Sequence, residues 1–125
     1  MSLKISTTMV GDVAVCRLEG RVTLGEGASY LRETCRGLLQ KGVTKLVLNY
    51  SACFYSDSSG LAELVAAYTA FRNRGGNLVL AELTEKINAL MHITKCDKIL
   101  KIFPDSDTAI AFFTDSSTQI PNEKL

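Results

Sequence analysis

Between two stretches of helical periodicity, the segment Val43 to Asn49 centres on the apolar run Leu46-Val47-Leu48. It is too short for an ordinary helix and rich in Val and Leu, so it reads as a central strand covered on both faces. That strand leads toward Asp57-Ser58-Ser59-Gly60, after which Leu61, Leu64, Val65, Tyr68 and Phe71 recur at helical spacing, with alanines between them and Gly75-Gly76 just beyond. Strand, polar turn and helix in that order define an α/β chain.

The flanking segments extend the pattern. Ile5 to Met9 and Asp12 to Leu18 read as short strands turned at Gly11-Asp12, an N-terminal hairpin. Gly20 to Gly27 reads as a loop, and Ala28, Leu31, Cys35, Leu38 and Leu39 follow as a helix that Gly42 ends. Downstream, Asn77 to Ala81 is a strand, and Thr84 caps a short helix that buries Ile87, Leu90 and Met91. Ile99 to Phe103 is a further strand, and Pro104-Asp105-Ser106 turns into a last helix with Ala109, Phe112 and Phe113 inward. Thr114 to Leu125 is polar, contains Pro121 and shows no period, which predicts a frayed tail (114–125) behind a single domain (1–113). The expected architecture is a mixed β-sheet with an N-terminal hairpin and packed α-helices joined by right-handed crossovers.

Composition narrows the function. A chain of 125 residues suits one domain, and a net charge of +1 with scattered Lys and Arg gives no footprint for nucleic acid. No stretch approaches the ~20 apolar residues of a membrane span, and no signal-like h-region opens the chain, so a cytoplasmic protein is expected. Cys16, Cys35, Cys53 and Cys96 stand far apart with no Cys-x-x-Cys pair, and they read as small core residues in a reducing compartment. One His, no Trp and no paired ligands leave no metal or cofactor to expect.

What remains is Asp57-Ser58-Ser59-Gly60, at the C-terminal end of a central strand where open α/β sheets commonly place function. A helix N-terminus carries unpaired N–H groups and a positive dipole end, which favour phosphate. Asp57 reads first as the helix cap, with a role in orienting Ser58 compatible with that. Ser59, one step deeper, reads as a local hydrogen-bond partner for the first turn, Gly60 as a residue that keeps bulk away from Ser58, and Glu63 as a first-turn carboxylate that complements the dipole.

Those residues carry a family resemblance. The early hairpin, Leu18-Glu19-Gly20 before a loop and helix, the strand Lys45-Leu46-Val47-Leu48-Asn49, Asp57-Ser58-Ser59-Gly60-Leu61, and Gly75-Gly76-Asn77-Leu78 before the next strand together resemble the STAS domain, over roughly residues 3–113. Within that family the chain resembles the bacterial anti-sigma factor antagonists, or anti-anti-sigma factors. The resemblance implies a regulator of transcription that is a phosphoprotein and not an enzyme. It binds an anti-sigma factor that is also a serine kinase, loses that partner when Ser58 is phosphorylated, and regains it through a serine phosphatase.

Thr23, Leu24, Tyr55, Ser56, Asp57, Ser58, Ser59 and Gly60 are the candidate partner-binding residues, since the loop before the first helix should lie beside the motif. Two positions depart from the family pattern. Thr23 stands where the family often has Asp, and Ser56 stands where a residue before the motif's Asp is usually apolar. The rival within the same fold is a STAS scaffold or accessory subunit, in a stress-signalling assembly or a lipid transporter, with Ser58 never modified. A hydrolase is disfavoured because the single His92 falls far along the chain and neither Gly-x-Ser-x-Gly nor Ser-x-x-Lys is present at Ser58.

Overall fold

The computed structural model describes residues 3–123, with side chains described from Leu3 to Thr114. Strands β1 (Leu3–Val10) and β2 (Val13–Val22) form the expected hairpin, with Gly11 in the turn at φ 63°. Helix α1 (Glu26–Gln40), strand β3 (Lys45–Ser56), helix α2 (Ser58–Asn73), strand β4 (Asn77–Ala81), helix α3 (Glu85–Ile93), strand β5 (Ile102–Phe103) and helix α4 (Ser106–Glu123) follow. The five strands lie in sequence order, β1-β2 antiparallel and the rest parallel.

Strand alternation decides which side each residue serves. Ala14, Cys16 and Leu18 of β2, Leu46 and Leu48 of β3, and Leu78 and Leu80 of β4 face one way, into a core closed by Leu31, Cys35 and Leu38 of α1, Leu64, Ala67 and Phe71 of α2, and Ile87 and Met91 of α3. The residues between them, Val13, Val47, Val79 and Ala81, face the other way onto Ala109 and Phe113 of α4. Long side chains thus fill the side covered by three helices and short branched ones the side covered by one. All four cysteines are free and buried, and burial pushes the Cys35 thiol up to about 12, as suits core packing rather than chemistry.

The architecture is the α/β fold expected, and the differences lie at element ends. The loop expected at Gly20–Gly27 is shorter, because β2 continues to Val22 through two register irregularities, Gly20 taking φ 117° there. Strand β3 outruns its neighbour: Lys45 to Asn49 pair with β4, whereas Ala52 to Ser56 pair with β2 alone. This overhang lacks the apolar run of a strand enclosed on both edges, which is why its strand character was missed. The strand expected at Ile99–Phe103 shrinks to two residues, since Lys95 turns left-handed into a short 3-10 turn (Cys96–Lys98) and Leu100 is buried by the leucine-side core without being in a strand. Leu90 is half-buried rather than enclosed, and the same holds for Phe112, which packs 5.3 Å from the rings of Phe103 and Phe113. Helix α4 carries the backbone past Thr114 to Glu123. The side chains from Asp115 onward, and with them the expectation of a frayed tail, lie outside the described residues.

Candidate functional site

The overhang of β3 carries the chain past the body of the sheet and hands it to α2 at Asp57. Asp57 takes extended backbone angles, and its Oδ1 accepts the Gly60 N–H at 2.9 Å, the capping geometry expected. Helix α2 therefore begins at Ser58, a turn earlier than the apolar spacing indicated, and Glu63 falls in its second turn. Rather than answering the dipole, Glu63 Oε2 pairs with Arg32 Nη1 of α1 at 2.9 Å.

The second carboxylate oxygen does something the sequence did not announce. Asp57 Oδ2 accepts the backbone N–H of Leu24 at 2.9 Å, and the Asp57 N–H itself donates to the Val22 carbonyl at 3.3 Å. One side chain thus fixes both the start of α2 and the loop between β2 and α1, which brings Thr23 and Leu24 beside the motif as expected. These N–H groups, Leu24 first, then Gly60 and Ser59, hold the Asp57 carboxyl below the usual carboxylate range.

A depressed folded value means that the ionised form supports the fold, fully above the ordinary value of 3.8 and progressively less as pH falls through the lowered one. Asp57→Asn keeps one acceptor for the cap but turns an NH2 toward Leu24. Its Tm is expected to lie a few degrees below the parent at pH 7, and the gap to close as the pH drops below 3.8. Thermal melts of both proteins between pH 7 and 2.5 check this, and a gap that stayed constant would count against the assigned role.

Ser58 is the first residue of α2, exposed, and its hydroxyl makes no hydrogen bond among the described residues. Ser59 is half-buried and contributes through its backbone N–H near Asp57, not through the hydroxyl bond expected of it. Two of the residues expected on the partner surface are instead buried. Ser56 lies beneath the turn, its Oγ donating to the Asp57 carbonyl at 3.2 Å. Gly60 does not keep an approach clear: it is packed against β2, where a Cβ would collide with the Val22 carbonyl and lie 2.6 Å from Ser56 Oγ. Both shape the turn from below.

On the loop, strand end and helix that meet near this turn, large apolar side chains are left in solvent. Leu24 is 78% exposed, Phe54 52%, Tyr55 42% and Ile93 76%. Tyr55 and Ile93, with Ala89 and Leu90, line a groove of about 220 Å³ between the β3 overhang and α3. Lys86, which also lines the groove, places its Nζ 5.9 Å from the centre of the Tyr55 ring, and outside the groove the Arg21 guanidinium sits 5.5 Å from that of Phe54. Phe54, Lys86, Leu90 and Ile93 were not among the expected site residues. The signal for Ile93 was available, because it falls off the buried face set by Ile87 and Met91 on α3; Phe54 needed the overhang to be known. His92 bonds Asp97 through Nδ1 at 3.1 Å, on α3 and the turn after it, and none of its contacts involves Ser58. Among the described residues no cluster of His, Cys, Asp or Glu is placed to hold a metal, and no helix is long and apolar enough to cross a membrane.

A mixed five-stranded sheet with a serine opening the helix after the central strand defines a class, and the STAS domain model matches residues 4–109. The chain belongs to the STAS domain family. Among solved structures it is similar to a Thermotoga maritima protein proposed to be an anti-sigma factor antagonist (TM-score 0.80, 24% identity, 86% of this chain and 92% of that one). It is also similar to an anti-sigma factor antagonist from Mycobacterium paratuberculosis (TM-score 0.74, 21% identity, 87% and 92%). A third relative is the anti-sigma factor antagonist SpoIIAA in its unphosphorylated form (TM-score 0.69, 18% identity, 89% and 98%), whose phosphorylated form from Bacillus matches at 0.68. At these identities the likeness is one of fold.

Proposed function

We propose that this protein is an anti-sigma factor antagonist that docks onto an anti-sigma serine kinase through the end of the sheet carrying Ser58, and is released when Ser58 is phosphorylated. The observation that carries the reading is the juxtaposition at that end. An exposed serine hydroxyl opens a capped helix, Leu24 is held exposed against the capping Asp57, and the strand leading into the turn leaves Phe54 and Tyr55 in solvent, Tyr55 sharing a groove with the exposed Ile93. Apolar side chains held in solvent round one polar group mark an interface. Thr23, Leu24, Tyr55, Asp57, Ser58 and Ser59 present that surface, and Ser56 and Gly60 support it.

SpoIIAA, solved with and without its phosphate, supports a switch of this kind in a similar fold. The protein works by binding, not catalysis: His92 is engaged with Asp97, and Ser58 has no base at its hydroxyl among the described residues. A cytoplasmic setting with a serine phosphatase to reset the switch completes the reading.

Incubation with ATP and an anti-sigma kinase from the same genome, followed by intact mass and peptide mapping, tests the proposal. One phosphoryl group on the peptide carrying Ser58 is expected, and modification elsewhere or nowhere rejects it. The apolar rim makes its own prediction. Ile93→Ser removes an exposed anchor without touching the core, and loss of about 1–2 kcal/mol of contact weakens kinase binding by roughly 5- to 30-fold. Calorimetric titration of both proteins reads this directly, and unchanged affinity places the partner elsewhere.

A further inference from the structure

A second concave feature lies away from Ser58, between α1 and α2. Where α1 presents Cys35 and Leu39, α2 presents Ala66, Ala67 and Ala70, and these small side chains leave a groove of about 340 Å³ with an apolar floor. Its rim is cationic: Arg32, Arg36 and Arg74 against the single carboxylate of Glu63.

The three guanidiniums are not equally engaged. Arg32 is held by Glu63 at 2.9 Å. Arg36 comes no nearer than 3.8 Å to Glu33, beyond hydrogen-bond reach, and Arg74 reaches only the Leu39 carbonyl, at 3.4 Å. Two forked donors therefore stand with capacity to spare at the edge of an apolar floor.

We propose that this groove binds a small amphiphilic anion: a compact apolar body ending in a carboxylate. The floor suits the body, and a guanidinium fork matches a carboxylate with two parallel N–H donors. Volume sets the size, since about 340 Å³ lies at the low end of the ~300–1,000 Å³ that small ligands occupy. Charge sets the sign, because a neutral hydroxyl offers a guanidinium one uncharged acceptor where a carboxylate offers two charged ones. The site shares no residue with the surface around Ser58 and stands independently of the function proposed for it.

Titration of the full chain with octanoate, and in parallel with 1-octanol, followed by amide ¹H–¹⁵N NMR, tests this. Octanoate is expected to shift residues 35–40 and 66–74 saturably, and octanol at the same concentrations to produce no saturable shift there. Arg36→Glu with Arg74→Glu should weaken octanoate at least tenfold. Ala66→Phe, which fills the groove from an exposed position, should abolish binding while circular dichroism stays unchanged. An equal response to octanol, shifts confined to the groove at Tyr55 and Ile93, indifference to the charge reversals, or no saturable response overturns the assignment.

Discussion

Ser58→Asp is expected to lower affinity for the anti-sigma kinase at least about thirtyfold, with circular dichroism and Tm unchanged or slightly raised, while Ser58→Ala binds as well as the parent. The two halves rest on different physics. Inside the molecule, charge at the first residue of α2 is tolerated, because the hydroxyl makes no hydrogen bond among the described residues and the helix N-terminus favours a negative group by roughly 0.3–1 kcal/mol.

Between molecules the balance reverses. Ser58 follows Asp57, whose carboxylate holds the Leu24 N–H, and Tyr55 lies three residues before it beside Ile93, so a partner that covers these exposed side chains is expected to take the side chain at 58 out of water. A desolvated, unpaired charge costs about 2–5 kcal/mol, and each ~1.4 kcal/mol is a factor of ten. A phosphoryl group, with about −1.5 to −2 charge at pH 7, pushes further the same way. Surface plasmon resonance against the immobilised kinase separates the outcomes: equal binding by the two variants contradicts the switch.

The second large effect concerns the fold beneath the switch. Gly60→Ala is expected to destabilise by about 1–3 kcal/mol, since the added Cβ meets both the Val22 carbonyl and Ser56 Oγ, and only the latter belongs to a side chain that can rotate, so the backbone clash remains. For a domain of this size that amounts to roughly 3–15 °C in Tm. The loss should exceed what helix propensity allows, because propensity alone favours Ala over Gly. Pairing Gly60→Ala with Ser56→Gly should recover part of it by opening space at Oγ, and a Tm for Gly60→Ala equal to the parent's shows that α2 does not need to sit this close to β2.

Much of this was legible in the sequence, and the rest has identifiable reasons for having been hidden. The hairpin, β4 and the Thr84 cap were readable because each is set by local chemistry: a turn glycine, a short Val/Leu run, a hydroxyl three residues before an N–H. The end of β3 was not, because one neighbour suffices to hold an overhanging strand and demands no continuous apolar run. Ser58 and Asp57 were legible as serine and cap. The partnership of Asp57 with Leu24 spans 33 residues of sequence and involves only a backbone N–H at its far end, so no residue type could signal it. Ser56 and Gly60 were misread for a related reason. Small residues in a functional motif invite an explanation in terms of access, whereas here they answer to the proximity of β2.

The extension of β3 past β4 has a consequence for how such a protein can diversify. Beyond Asn49 the strand pairs with β2 alone; Tyr50 and Cys53 still reach back into the core, while Phe54 and Tyr55 stand out from it in solvent. Substitution at those two exposed positions leaves the interior untouched. A lineage can therefore retune whom it recognises, residue by residue, without renegotiating how it folds.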